Sequence, residues 1–342
     1  MGVLGACMHS PPPLPADLAR AQEHEGTPEV AVLEYAALYD RCKSGTATDL
    51  MGPKDDCGLV AFRLAQSLER AERYAEAVQV FQSVRTLSHD RVRIARAEVR
   101  VATLQAQQLG VPAAALQTCR QVLVEFPAEV PAEDALHLLV RLQSAAPELP
   151  GELARLAAAL RPYETIASFA LLYSAQGAER RDRPAEALAA YDELVRRYRR
   201  GPLLDDALVA AARLLRKLGR SAEAAERLER LVQTYTSSSL VGHYNQALLT
   251  ESTLVLGEVY LRELHRPEPA IATLKLLLQR QPSSRLGDDA LLLMAEAALQ
   301  RPGAAPGSRA EACGYLGRLL TSYPDSNRRR AAQQLRREQQ CP

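Results

Sequence analysis

The chain has 342 residues, 47% of them hydrophobic, which is enough to bury a large core, but no stretch approaches the roughly 18 uncharged apolar residues of a spanning helix. Its 42 basic and 41 acidic side chains nearly cancel, which excludes a global field that would attract nucleic acid or an anionic membrane. Aromatic residues make up only 5% and tryptophan is absent, so the composition predicts an all-α protein packed through Ala and Leu.

Residues 1–16 are predicted to be a leader or tether, because residues 11–15 contain four prolines and proline does not propagate a helix. Within this segment, Leu4-Gly5-Ala6-Cys7 resembles a lipobox, which implies lipidation of Cys7. Only six residues precede Cys7, so a charged n-region and most of an apolar h-region are missing. Two explanations stay open: a start codon placed too late, or an accidental match in an Ala/Gly/Leu-rich chain.

Residues 17–57 are predicted to contain an N-terminal helix, from about Glu29 to Cys42, and then a turn-rich loop. Cys42 and Cys57 flank this loop. In an oxidising compartment a disulfide between them would close the loop and stabilise the fold by about 3 kcal/mol, whereas in cytoplasm both thiols would stay reduced. Cys341 has no assigned role.

Residues 58–340 are predicted to form about seven helix pairs, because one helical pattern returns seven times. Its second helix carries a small residue, followed four and seven positions later by residues that are mostly larger and apolar. The copies are Ala77/Phe81/Val84, Ala115/Cys119/Val122, Ala187/Tyr191/Leu194, Ala224/Leu228/Leu231, Ala270/Leu274/Leu277 and Ala312/Leu316/Leu319, with a degenerate copy at Ala154/Ala158/Arg161. No unit can bury its apolar side alone, so the pattern predicts stacked units.

This pattern resembles the tetratricopeptide repeat, a helix–turn–helix unit with Leu-Gly, Tyr, Ala, Phe and Pro at set offsets. The best match is Leu256-Gly257 with Tyr260, then Ala270, Leu274, Leu277 and Pro282, with one extra residue in its turn. The resemblance implies a right-handed α-solenoid whose concave groove binds a protein or peptide. Carrying over the family's groove offsets gives nine candidate residues: Gln66, Glu69, Phe169, Gln176, Asp206, Arg213, Arg216, Glu251 and Glu258.

The long units and aromatic–proline junctions such as Phe126-Pro127 resemble those of bacterial envelope lipoproteins with tetratricopeptide repeats. Examples are the tetratricopeptide component of the outer-membrane β-barrel assembly machinery and the periplasmic Tol–Pal coordinator. The resemblance implies a scaffold on the periplasmic side of the outer membrane, held there through Cys7 and serving envelope assembly or maintenance. The alternative is a cytoplasmic adaptor or regulator of the same architecture without lipidation.

The sequence offers no catalytic site. It contains no Gly-x-Gly-x-x-Gly, phosphate-binding Gly-Lys-Ser/Thr or Gly-x-Ser-x-Gly motif, no CxxC pair, and its six histidines never pair at i, i+4. We therefore expect no enzyme activity, metal, cofactor, small-molecule substrate or nucleic-acid partner. An enzyme is the remote alternative, since it would need a domain outside the repeats, and residues 1–57 are too short for most catalytic folds.

Overall fold

The computed structural model describes residues 16–44, 57–237, 246–301 and 306–342. Every regular element in these ranges is helical, so the all-α prediction is confirmed for the described chain. The chain forms two compact units, residues 1–177 and 178–342, with one helix running across the boundary. The predicted limits of the leader, the N-terminal region and the repeats stay predictions.

The helices of the first unit start with a short N-terminal pair and continue with the repeats. A 3₁₀ turn, His24–Gly26, separates the first two helices. The bounds are α1 Ala16–Glu23, α2 Pro28–Lys43, α3 Cys57–Arg70, α4 Tyr74–Leu87, α5 Arg91–Gln107, α6 Pro112–Glu125, α7 Pro131–Leu142, α8 Leu149–Ala159 and α9 Glu164–Arg180, which crosses into the second unit.

The second unit continues in the same way after the end of α9. Its helices are α10 Pro184–Arg197, α11 Leu204–Lys217, α12 Ser221–Ser237, α13 Gln246–Glu258, α14 Pro267–Arg280, α15 Gly287–Leu299, α16 Pro306–Ser322 and α17 Arg329–Glu338. Helices α3 to α16 make seven successive pairs, in which the odd-numbered helices are the first helices.

Consecutive helices pack against each other from α1 to α7 and from α10 to α17, as a TPR-like α-solenoid requires. Some first helices also contact the first helix of the next pair: α3 contacts α5, α5 contacts α7, and α13 contacts α15. The lead alanines Ala77, Ala115, Ala187, Ala224, Ala270 and Ala312 are all fully buried. Small side chains at these positions allow close approach of neighbouring helices, so the alanine pattern is the packing signal.

The degenerate copy on α8 was predicted in the wrong register. Ala154, Ala158 and Arg161 are exposed, whereas Leu153, Ala157 and Leu160 are buried. The spacing of four and three residues is kept, but the whole set is shifted by one position. The error arises because in this helix a leucine, and not an alanine, leads the buried stripe.

A left-handed residue ends the first helix in five of the pairs, always five positions before the lead alanine. These residues, all with φ between 53° and 73°, are Glu72, Gly110, Asp182, Gly219 and His265. In three pairs an arginine follows and forms an ion pair with a glutamate three residues on: Arg73–Glu76, Arg183–Glu186 and Arg220–Glu223. The segments Arg-x-Ala-Glu-Ala at 73–77, 183–187 and 220–224 are therefore a second repeat signal.

The extra residue predicted between α13 and α14 is absorbed by a π-helical turn, Val259–Glu263. There the Leu264 N–H donates to the Val259 carbonyl, five residues back. The closing hydrogen bond of the turn, from Arg266 N to Tyr260 O, spans six residues. The turn between α5 and α6 has the same six-residue bond, Val111 N to Gln105 O, whereas Arg73 N to Leu68 O spans five.

Two disulfide bonds tie helices together in the structure. Cys42 at the end of α2 is bonded to Cys57 at the start of α3, with Cα atoms 5.6 Å apart. Cys313 on α16 is bonded to Cys341 beyond α17, with Cα atoms 5.5 Å apart. The second bond was not predicted, because Cys341 had no assigned role and nothing in the sequence was a reason to pair it with Cys313. Among the described cysteines, only Cys119 is a free, buried thiol.

Candidate protein-interaction surface

The nine predicted groove residues all lie on first helices. Gln66 and Glu69 are on α3, Phe169 and Gln176 on α9, Asp206, Arg213 and Arg216 on α11, and Glu251 and Glu258 on α13. None of these nine residues is fully buried. In each unit, the side formed by the first helices is called the first-helix face.

In the second unit, ion pairs between neighbouring first helices neutralise most charges on this face. Arg213 reaches Glu179 at the end of α9, 3.2 Å away, and Lys217 lies 3.6 Å from the same carboxylate. Arg216 pairs with Glu263 at 2.7 Å. The two predicted arginines therefore brace adjacent first helices, and their charges are already compensated.

Asp206 differs from these paired residues, because it has no hydrogen bond or ion pair among the described residues. Partial desolvation and then the neighbouring Asp205 raise the pKa of Asp206. Glu251 is exposed on α13, and it also has no partner in the described chain. A ligand on this face of the second unit would meet uncompensated carboxylates and no uncompensated arginine at the predicted positions.

In the first unit, Phe169 belongs to an aromatic cluster. It stacks on Tyr173, with ring centroids 6.2 Å apart, and meets the edge of His137 on α7 at 5.9 Å. His137 also lies edge-on to Tyr173, at 5.4 Å. Burial and then the charge of Glu133 raise the pKa of the Tyr173 hydroxyl. Aromatic faces that are partly exposed suit apolar or cationic side chains of a ligand.

A groove of about 500 Å³ lies beside this cluster, between the first helices α5 and α7. Arg96 and Arg100 line it from α5, and His137 and Arg141 line it from α7. Arg100 forms an ion pair with the predicted residue Glu69. We call this cavity the α5–α7 groove; sequence reasoning missed all of its lining residues.

The other polar and thiol groups can be compared with the requirements of a metal site and of a reactive cysteine. Within the described ranges, no three His, Cys, Asp or Glu side chains come together in a way that could hold a metal ion. Burial raises the pKa of the Cys119 thiol to about 12, so this cysteine is held as an unreactive thiol. Of the helices that the structure describes, none has the length and apolar character to cross a bilayer. Cys7 lies outside the described residues.

The family comparison identifies the repeats. The tetratricopeptide repeat model matches residues 60–87, 206–238 and 289–326. The first match covers most of α3 and α4, the second α11 and α12, and the third most of α15 and α16. These three segments are tetratricopeptide repeats, as the sequence predicted. Such repeats generally serve as scaffolds for protein–protein interaction.

No curated protein matches this chain. Among solved structures, it is similar to the C-terminal part of a TPR repeat-containing protein from Cytophaga hutchinsonii, with 13% identity, 80% of this chain and 98% of that chain covered, and a TM-score of 0.45. It is similar to a tetratricopeptide repeat protein from Parabacteroides merdae, with 15% identity, 81% and 97% covered, and a TM-score of 0.31. A third is PilW, described as a widely conserved type IV pilus biogenesis factor, with 16% identity, 68% and 98% covered, and a TM-score of 0.32.

Proposed function

We propose that this chain is a non-catalytic scaffold that binds a protein or peptide partner on its first-helix face. The observation that carries the proposal is the position of the candidate residues: all nine lie on first helices of a repeat whose second helices supply the buried alanines. Repeats of this kind stack so that one set of helices presents a continuous binding surface. The absence of a known catalytic motif in the sequence is consistent with this role.

We propose further that a lipid on Cys7 anchors the scaffold to the periplasmic side of a bacterial outer membrane, where it serves envelope assembly or maintenance. The lipobox-like residues Leu4-Gly5-Ala6-Cys7 support this proposal. The disulfides Cys42–Cys57 and Cys313–Cys341 also support an oxidising compartment, since structural disulfides are rare in cytosolic proteins. A cytoplasmic adaptor without lipidation is the second candidate.

Site-specific photo-crosslinking in the native host tests the scaffold. A photo-reactive amino acid at Gln66, on the first helix α3, is expected to give a discrete crosslinked adduct. The matched control is Gln82, which is exposed on the second helix α4 of the same pair. Identical adducts from both positions, or none from Gln66, would contradict binding on the first-helix face.

Metabolic labelling with an alkyne analogue of palmitate tests the anchor independently. The wild-type chain is expected to be labelled and to fractionate with the outer membrane, and Cys7→Ala is expected to lose both properties. Unlabelled wild-type protein in the cytosolic fraction, with Cys42 and Cys57 as free thiols, would instead establish the cytoplasmic adaptor.

A further inference from the structure

We infer that the α5–α7 groove of the first unit binds an extended acidic segment of a protein partner. This inference rests on the proposed scaffold function and adds the chemistry of the ligand. It starts from the charges that line the groove. Three arginines, Arg96, Arg100 and Arg141, face one carboxylate, Asp134, so the cavity is cationic although the whole chain is almost neutral.

Two of these arginines lack partners in the described part of the chain. Arg100 pairs with Glu69 on α3, but Arg96 and Arg141 have neither a hydrogen bond nor an ion pair from their side chains to any described residue. Both side chains are exposed. Elsewhere on the first-helix face, arginines such as Arg213 and Arg216 are neutralised by a neighbouring helix. The groove therefore carries positive charge that no described side chain compensates.

The positions of Arg96 and Arg100 are unfavourable for the isolated helix. Residues four apart on a helix are neighbours, and like charges there destabilise it by about 0.2–0.5 kcal/mol. Glu69 offsets one of the two charges, and nothing described offsets the other. An anionic ligand would relieve this repulsion, because arginine forms strong charge-assisted hydrogen bonds with carboxylates.

The spacing of the cations suits an extended peptide. Four helical residues rise about 6 Å, so Arg96 and Arg100 present their charges one turn apart. Alternate residues of an extended chain are about 7 Å apart and point to the same side. Carboxylates at every second position of the ligand therefore match the arginines on α5, while Arg141 reaches the ligand from α7.

The aromatic cluster predicts an apolar residue in the ligand. His137 lines the groove and contacts both Phe169 and Tyr173. An apolar or aromatic side chain adjoining the acidic stretch would pack on these rings, and burial of such a side chain adds affinity that salt does not screen. The ligand is then an acidic segment with alternate carboxylates, ending in an apolar residue.

Fluorescence polarisation with the full chain tests the inference. The probe is a fluorescein-labelled nonapeptide in which Glu alternates with Ser and Phe ends the sequence; the matched probe has Gln for every Glu. Wild-type protein is expected to bind the Glu probe at least about tenfold more tightly, which corresponds to one well-formed charged contact of about 1.4 kcal/mol. Added salt is expected to weaken this binding.

Two double variants with equal charge change locate the site. Arg96→Glu with Arg141→Glu is expected to weaken the Glu probe at least about tenfold. Arg155→Glu with Arg161→Glu, at exposed positions on and just after the second helix α8, is expected to leave binding within about twofold. Circular dichroism verifies that both variants keep the helical content of the wild type.

Three results would overturn the inference: no binding of the Glu probe, equal binding of the Gln probe, or equal loss in both double variants. A single-stranded oligonucleotide that binds with the same dependence on Arg96 and Arg141 would assign the groove to nucleic acid instead. If the peptide fails while photo-crosslinking at Gln66 still gives its adduct, the scaffold stands and only the acidic ligand is refuted.

Discussion

A first and a second helix pack closely at Gly257, and this contact predicts a specific loss of stability. A Cβ atom built on Gly257 would lie 2.7 Å from both Cγ and Cδ2 of Leu274, a fully buried residue of α14. Such contacts require the leucine to shift. Gly317 on α16 is the matched control, because a Cβ there meets no atom within 4 Å.

Both Gly→Ala substitutions improve helix propensity, but only Gly257→Ala also creates a steric contact. Alanine is better than glycine in a helix interior by about 1 kcal/mol, so Gly317→Ala is expected to stabilise the chain by up to that amount. Gly257→Ala has the same advantage but overpacks the helix pair, which typically costs about 1–3 kcal/mol. We expect Gly257→Ala to be less stable than Gly317→Ala by about 1–3 kcal/mol.

Urea unfolding followed by circular dichroism at 222 nm measures this difference through the midpoint concentration. A double-mutant cycle with Leu274→Ala then identifies the contact. Leu274→Ala alone removes a buried side chain and should cost about 2–5 kcal/mol, but combined with Gly257→Ala the loss should be smaller than the sum. Equal stabilisation by both Gly→Ala substitutions, or strict additivity in the cycle, would refute the packing argument.

Three further predictions concern one disulfide bond, one buried thiol and one carboxylate. Cys341→Ser removes the disulfide bond that closes the 28-residue loop to Cys313, and it should lower the free energy of unfolding by about 3–4 kcal/mol. Hydrogen exchange in α17 should become faster, and the wild-type protein under reducing agent should show the same change. N-ethylmaleimide at pH 8 should leave Cys119 unlabelled in folded protein and label it after unfolding in guanidinium, since burial raises its pKa to about 12. Although burial raises the pKa of Glu263, hydrogen bonds from Ser221 and Arg216 lower it overall. Glu263→Gln should therefore destabilise the protein at pH 7, and this effect should disappear as the pH falls through the lowered pKa of the wild-type carboxylate.

The helix pairs could be predicted because close packing restricts the residue type. A second helix that crosses a first helix at short distance needs a small residue, and six of the seven lead positions are fully buried alanines. The exception, α8, shows the limit of the method: its stripe begins with Leu153, so the pattern was fitted one residue late. The disulfide bond between Cys313 and Cys341 could not be predicted either, because the sequence alone does not show that the chain after α17 returns to α16.

The α5–α7 groove was missed because the family offsets were carried over only to the better-matched units, on α3, α9, α11 and α13; the turn after α5 also shifts the offsets there. Family offsets count back from the lead alanine, and the six-residue hydrogen bond from Val111 to Gln105 shows that this turn holds one more residue than the turn after α3. Counting back from Ala115 without that residue lands on Ala97 and Leu104, which are buried, and on Gln107, which lines the groove. Counting with it lands on Arg96 and Thr103, both of which line the groove.

The near-neutral composition and a selective binding surface are compatible, because both charges of an ion pair are already compensated and only the unpaired charges are available to a ligand. Arg213 and Arg216 look like ligand-binding residues from their offsets, yet carboxylates of adjacent helices already satisfy them. Exposed pairs of this kind contribute little to stability, about 0–1 kcal/mol, but they set which charges a partner meets. On the proposed scaffold, the few unpaired charges would then decide the choice of partner, and in the first unit Arg96 and Arg141 are such charges among the described residues.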